Sequence, residues 1–178
     1  MKVKNTRVIG VVALILSTFL ILFDIHHLEV ELASPEYKAK QFLAQYGWSA
    51  GQIEKRSSTL CDTFVGEYAI ILPEEIEQAN AAVGFPANMD FLTQETPMVY
   101  LANNLTYLET QTDLFYNGTN PPDNDMAYAW TYYGIYCFFD PHSSELTGAF
   151  LYRFCTDSQQ GAVYPLTLSA EEVTALPQ

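Results

Sequence analysis

Few residues of this chain could do acid–base or nucleophilic chemistry, and they do not cluster as catalysis requires. Of the three histidines, His26 and His27 adjoin a long apolar run, and His142 alone falls in the remainder. It stands in Asp140-Pro141-His142-Ser143-Ser144, where an acid, an imidazole and two hydroxyls share one short segment. A triad sets the nucleophile and the orienting acid on opposite sides of the imidazole and adds oxyanion donors, which neighbours in one tight turn seldom achieve. Asp-Pro and Ser-Ser also form turns for backbone reasons. The segment is therefore read as a hairpin loop, with a catalytic His142, assisted by Cys61, as the lesser reading. No Gly-x-Ser-x-Gly, His-Glu-x-x-His, Gly-x-Gly-x-x-Gly or P-loop pattern occurs.

Three cysteines, Cys61, Cys137 and Cys155, allow one disulfide in an oxidising compartment. A hairpin centred on Ser143 pairs Cys137 with Ala149 and Cys155 with Thr131. The two sulfurs then lie about 20 Å apart along the strands, against a Cα limit of about 7 Å. Reduced, buried thiols are expected, and Cys61 with either partner stays open. No Cys-x-x-Cys is present, which removes thioredoxin-type and zinc-ribbon chemistry. No cofactor is expected. Asp123 and Asp125, with Asn124 between them, are the candidate ligands of a weak Ca²⁺ site, in a loop that lacks the glycine and distal glutamate of an EF-hand. The default for that loop is solvation.

Arg153 is the lone cation after Arg56, placed within a strand beside Leu151 and Cys155. It is read as a structural, ion-paired arginine or, more sharply, as a clamp for a ligand's carboxylate or phosphate. The even positions Trp130, Tyr132, Tyr136, Phe138, Phe150, Tyr152 and Phe154 share one hairpin face. Core packing explains that stripe, and a platform for sugar or peptide is its alternative. The candidate ligand-binding set is thus Arg153, Trp130, Tyr132 and Tyr152.

Charge narrows the partners. The 178 residues carry a net charge of −13, and residues 24–178 hold 5 basic against 21 acidic groups, a balance of −16. Nucleic acid is excluded because phosphate binding needs clustered Lys and Arg. A hydrophobic share of 49% and an aromatic share of 14% supply enough apolar mass for a core, so the charge does not imply disorder.

Positioning begins at the N-terminus. Residues 8–23 are uncharged and apolar, about 24 Å long as a helix against a hydrocarbon core of about 30 Å. No small-x-small site follows closely, and Ala33-Ser34 precedes Pro35. An uncleaved signal anchor is therefore favoured over a cleaved signal peptide. Lys2, Lys4 and Arg7 put residues 1–7 in the cytoplasm and the rest outside. The expected organisation is a cytoplasmic stub (1–7), a transmembrane anchor (8–23), a linker (24–33) and one extracytoplasmic domain (34–178).

Within that domain, Ser34, Pro35, Glu36 and Gly47 punctuate a helix whose Ala39, Phe42, Leu43 and Tyr46 face a core. Trp48 packs back on its end. Strands are expected over 52–60 and 64–72, and a second helix opens at Pro73 and ends before Gly84, with Ile76 and 79–83 inward. Two strands, 97–103 and 105–112, flank Asn103-Asn104. Residues 116–126 form a long loop, a hairpin joins 129–139 to 147–156, and Ser169 caps a short turn at 170–175. The fold class is α+β, a mostly antiparallel sheet packed by two or three short helices.

Phe42-Leu43-Ala44-Gln45-Tyr46-Gly47-Trp48, followed by Ile71-Leu72-Pro73, resembles the opening of membrane-anchored extracellular domains of unknown function from Firmicutes. The resemblance implies a cell-surface location and no particular activity. The expectation is a non-enzymatic, membrane-tethered binding or accessory domain for an unidentified protein, peptide or cell-wall ligand. The alternative is a cell-surface hydrolase acting through paired carboxylates.

Overall fold

The computed structural model describes residues 16–26, 32–57, 71–93, 97–114, 117–118, 130–155 and 160–176; for Thr93, Asn117, Gly118, Trp130, Cys155 and Gln160 this means the backbone. The stub, Cys61, Asp123, Asp125 and most of the expected strand over 64–72 lie outside the described residues. Residues 16–26 are helical and exposed, so the helix continues to His26, past the apolar run's end at Phe23. Among the described residues no helix is long and apolar enough to cross a membrane.

Helix α1 (Pro35–Gln45) starts and stops where its punctuation says. Ser34 Oγ accepts the Tyr37 N–H at 3.2 Å, satisfying one orphan donor of the first turn. After Tyr46, Gly47 takes φ 79°, a left-handed conformation that would strain a side chain, and turns the chain straight into a strand. That strand, β1 (Trp48–Arg56), begins at Trp48 rather than at residue 52. Trp48 fits both roles: its side chain is 1% exposed, and its indole donates to the Leu166 carbonyl at 3.0 Å.

Leu72 is the N-cap of α2 (Pro73–Ala82), not the end of a strand. Ile76, Ala79, Asn80 and Val83 of this region are buried, while Ala81 and Ala82, expected inward, are exposed. The 3.6-residue period decides this, because residues 76, 79, 80 and 83 share one helical face. A single turn, α3 (Asp90–Thr93), follows.

The two strands expected around Asn103-Asn104 are one, β2 (Met98–Tyr107), antiparallel to β1. Gly51 and Asn104 stand opposite each other unpaired, with Asn104 at φ 53°. Both strands change faces there: Tyr100 and Ala102 share a core with Leu105, as Ile53 does with Trp48 and Ala50. A switch in alternation reads as a break in one sequence, whereas here two strands switch together and stay paired.

The sheet is completed by β3 (Thr112–Leu114), β4 (Asn117–Gly118), β5 (Trp130–Phe139), β6 (Leu146–Cys155) and β7 (Gln160–Tyr164). The strand order is β1-β2-β5-β6-β7, with β3 on β2 and β4 on β5, and every ladder is antiparallel. The β5–β6 register pairs Cys137 with Ala149 and Cys155 with Thr131, as the turn residues predict, and a shift after Phe138 leaves Thr147 as an extra residue. Cys137 is buried and reduced. The final helix, α4 (Ala170–Ala175), has the expected Ser169 cap, reinforced by Glu172 as a capping box.

Both faces of the sheet are covered. On one, Ala39 and Leu43 of α1 and Ala170 and Val173 of α4 meet Ile135, Cys137, Phe139, Ala149 and Leu151. On the other, Ile76 and Ala79 of α2 and Leu92 of α3 meet Tyr136, Phe138, Phe150 and Tyr152. Tyr136, Phe138, Phe150 and Tyr152 of the hairpin's aromatic stripe are thus core, each ring contributing about 1.5–3 kcal/mol of burial, with Tyr132 and Phe154 partly buried against them. The class is α+β, with one mostly antiparallel sheet and four short helices around it.

Candidate functional site

An opening of about 850 Å³ lies at the end of the sheet where the β5–β6 hairpin turns. Three segments build it: Phe85 to Phe91 between α2 and α3, Pro97 ahead of β2, and Phe139 to Thr147 around the turn. Its walls are Phe85, Pro86, Phe91, Pro97, Phe139, Pro141 and Leu146, and its polar groups come from Asn88, Asp90, Asp140, His142 and Thr147. A volume of this size falls in the range of about 300–1,000 Å³ usual for ligand sites.

The turn is held by its own acid. Asp140 Oδ1 accepts the backbone N–H of His142 at 2.8 Å and of Ser143 at 2.7 Å. The Ser143 and His142 amides hold the Asp140 carboxyl below the usual carboxylate range. From α1, Lys38 Nζ donates to the Ser144 carbonyl at 2.7 Å, tying the turn to the helix. Asp140, His142 and Ser143 therefore interact through the backbone, as the hairpin reading has it.

Phe91 forms the inner wall. Its ring meets Phe138 edge-on, with centroids 5.1 Å apart. It also packs against Gly148: a β-carbon built there would stand 2.7 Å from Phe91 Cδ2 and 3.1 Å from Asn80 Oδ1. Beneath it, Asn80 is 0% exposed; its Oδ1 accepts the Ala149 N–H at 2.9 Å, and its Nδ2 has no partner among the described residues. The Asn80 carbonyl also accepts the N–H of Phe85, another wall residue, at 3.2 Å. One buried amide thus supports the floor of the cleft from below.

A second, smaller opening of about 310 Å³ exists because β2 and β5 part company. They pair only as far as Ala102 and Ile135, after which β2 takes β3 and β5 takes β4. The fork is lined by Gln52, Glu54, Arg56, Asn103, Asn104, Leu114, Tyr132 and Tyr133. Tyr132 donates its hydroxyl to Asn103 Oδ1 at 2.6 Å, and burial pushes its phenol up. Arg56 and Glu54 pair at 2.9 Å, and Gln52 donates to Glu54.

Of the residues expected to bind ligand whose side chains are described, Tyr132 and Tyr152 share one face of the sheet and Arg153 takes the other. Tyr132 lines the fork. Tyr152, on the same face, is buried against Tyr136 and Phe154, and burial pushes its phenol up to about 12. Arg153 pairs in register with Tyr133 and so projects from the opposite face. It is 6% exposed, donates to the Val173 and Leu176 carbonyls at 3.4 and 3.2 Å, and sits 5.1 Å over the Tyr164 ring. It caps the end of α4. Trp130 pairs with Gly118 in the backbone, and Asp123 and Asp125 lie outside the described residues.

Sequence reasoning missed the cleft. Phe85-Pro86, Phe91, Pro97 and Pro141 carried the available signal: aromatics beside prolines in connections, where a buried core does not need them. Asp90, Asp140 and His142 share the cleft, yet among the described residues no three His, Cys, Asp or Glu side chains approach closely enough to hold a metal ion. Comparison of the chain with protein-family models, curated proteins and solved structures finds no significant match.

Proposed function

We propose that this chain is a membrane-tethered, extracytoplasmic binding domain without catalytic activity. The observation that supports it is the cleft at the hairpin end: apolar walls fixed by three prolines, with a few convergent polar groups, as in small-ligand and peptide sites. The tether and the outward orientation rest on residues 1–23, and the resemblance to Firmicutes surface domains on the helix–Tyr-Gly-Trp–strand step.

One observation favours the hydrolase reading: Asp90 and Asp140 line the same cleft. Against it, a glycosidase acid needs a raised pKa, and the amides around Asp140 drive that carboxyl the other way.

A photo-crosslinking residue placed at Thr147 in the cleft, and separately at exposed Gln78 on α2, tests the proposal in cells making the full chain. Adducts at Thr147 and not at Gln78 are expected. Equal labelling at both positions, or none at Thr147, overturns it. Hydrolysis of a cell-wall polymer lost in both Asp90→Asn and Asp140→Asn would establish the alternative.

A further inference from the structure

We infer that the cleft's occupant is an extended, cationic peptide segment, one that lays lysine or arginine stems along the aromatic wall and brings their heads to Asp90 and Asp140. This rests on the binding reading above and names the ligand class of that site.

Three observations converge. The first is charge: Asp90 and Asp140 contribute carboxylates to the lining, and no lysine or arginine is among the lining residues. The surrounding chain has the same sign, with 5 basic against 21 acidic groups over residues 24–178. An anionic ligand would enter against this field, and a cationic one is steered by it.

The second is the wall. Phe85 and Phe91, both partly exposed, line the same cleft as the two aspartates, over the buried Phe139. Lysine and arginine have an apolar stem and a charged tip, so one side chain satisfies both kinds of lining at once. A ring face near the cation adds roughly 0.5–2 kcal/mol. An uncharged apolar peptide would leave the carboxylates partly desolvated and unpaired, which costs affinity.

The third is preorganisation. Pro86, Pro97 and Pro141 fix the backbone at three points of the rim, and Phe91 is wedged between Phe138 and Gly148. Asp140 is held in place by two amide donors of its own turn. Extended, proline-tolerant segments dock in such aromatic grooves with little ordering cost on either side.

The test uses the full chain in detergent micelles and three fluorescein-labelled peptides of equal length, in which proline alternates with lysine, alanine or glutamate. Anisotropy titrations at low and high salt give the Kd values. The lysine peptide is expected to bind roughly tenfold more tightly than the alanine one and to weaken with salt. Asp90→Asn, at an exposed position, is expected to lower that affinity roughly threefold to tenfold and flatten the salt dependence. Phe91→Ala is expected to weaken all binding, with folding of each variant checked by its circular dichroism spectrum.

Equal affinity for the lysine and alanine peptides overturns the charge inference while leaving a peptide-binding cleft. Tight lysine-peptide binding that neither Asp90→Asn nor Phe91→Ala alters overturns its location. Binding of none of the three peptides, together with crosslinks at Thr147, overturns the peptide class. The same result without those crosslinks overturns the binding reading itself.

Discussion

Arg153 illustrates how burial and register decide what a residue is for. Its sequence context marks it as conspicuous, and the structure aims it at the last carbonyls of α4, which have no helical partner. A cation there also faces the negative end of the helix. Arg153→Met is expected to destabilise the fold by about 1.5–3 kcal/mol, the range for hydrogen bonds to charged donors. The same variant should leave cleft binding intact; urea unfolding and the lysine-peptide titration check the two halves. Asn80 is the converse case, a polar residue on the buried face of α2. Asn80→Ala leaves the buried Ala149 N–H without its acceptor and is expected to cost about 1–3 kcal/mol in urea unfolding. No local pattern marks its bond, because the partner is 69 residues away in β6.

The elements divide by how local their causes are. Helix α1 and the β5–β6 hairpin were legible because capping residues and turn formers sit at fixed offsets, and the resulting register holds from Thr131 to Phe138, shifting by one residue at Phe139. The joint phase switch at Gly51 and Asn104 was not legible, since it belongs to two strands and neither records it alone. The cleft was illegible for the same reason: three connections remote in sequence build it. Two predictions belong to elements. Gly148→Ala forces a β-carbon against Phe91 and Asn80. A destabilisation of about 1–3 kcal/mol is expected, with weakened peptide binding, because the cleft's inner wall must move; thermal melts and anisotropy measure both. Helix α4 is clasped to the β2–β3 turn through Glu171, which accepts the hydroxyls of Thr110 and Thr112 at 2.6 and 2.7 Å. Those hydroxyls lower its pKa to about 2 from an ordinary 4.5. A carboxyl depressed on folding adds stability above its unfolded value and loses it as pH falls toward the folded one. Glu171→Gln should therefore lower the urea midpoint at pH 7, and its difference from the parent should shrink between pH 4.5 and 2.

At the scale of the molecule, one sheet divides two apolar clusters, and Cys137 lies within the first, where burial pushes its thiol up to about 12. Alkylation of Cys137 by iodoacetamide is expected only at the rate of global unfolding, since neither thiolate nor access exists in the native state. Mass-spectrometric timing of that modification against urea concentration checks it. Charge, by contrast, was legible from composition alone and keeps its sign in the fold: the cleft at the hairpin end has two acids and no lysine or arginine in its lining.

The bond from the Trp48 indole to the Leu166 carbonyl joins residues 118 positions apart. A chain that emerges N-terminus first makes α1 and β1 early, yet the Trp48 indole has no acceptor until Leu166 is out. The first strand made is thus among the last to be locked. Closure of this domain therefore waits on synthesis of the segment around Leu166, far downstream of the strand that it fastens.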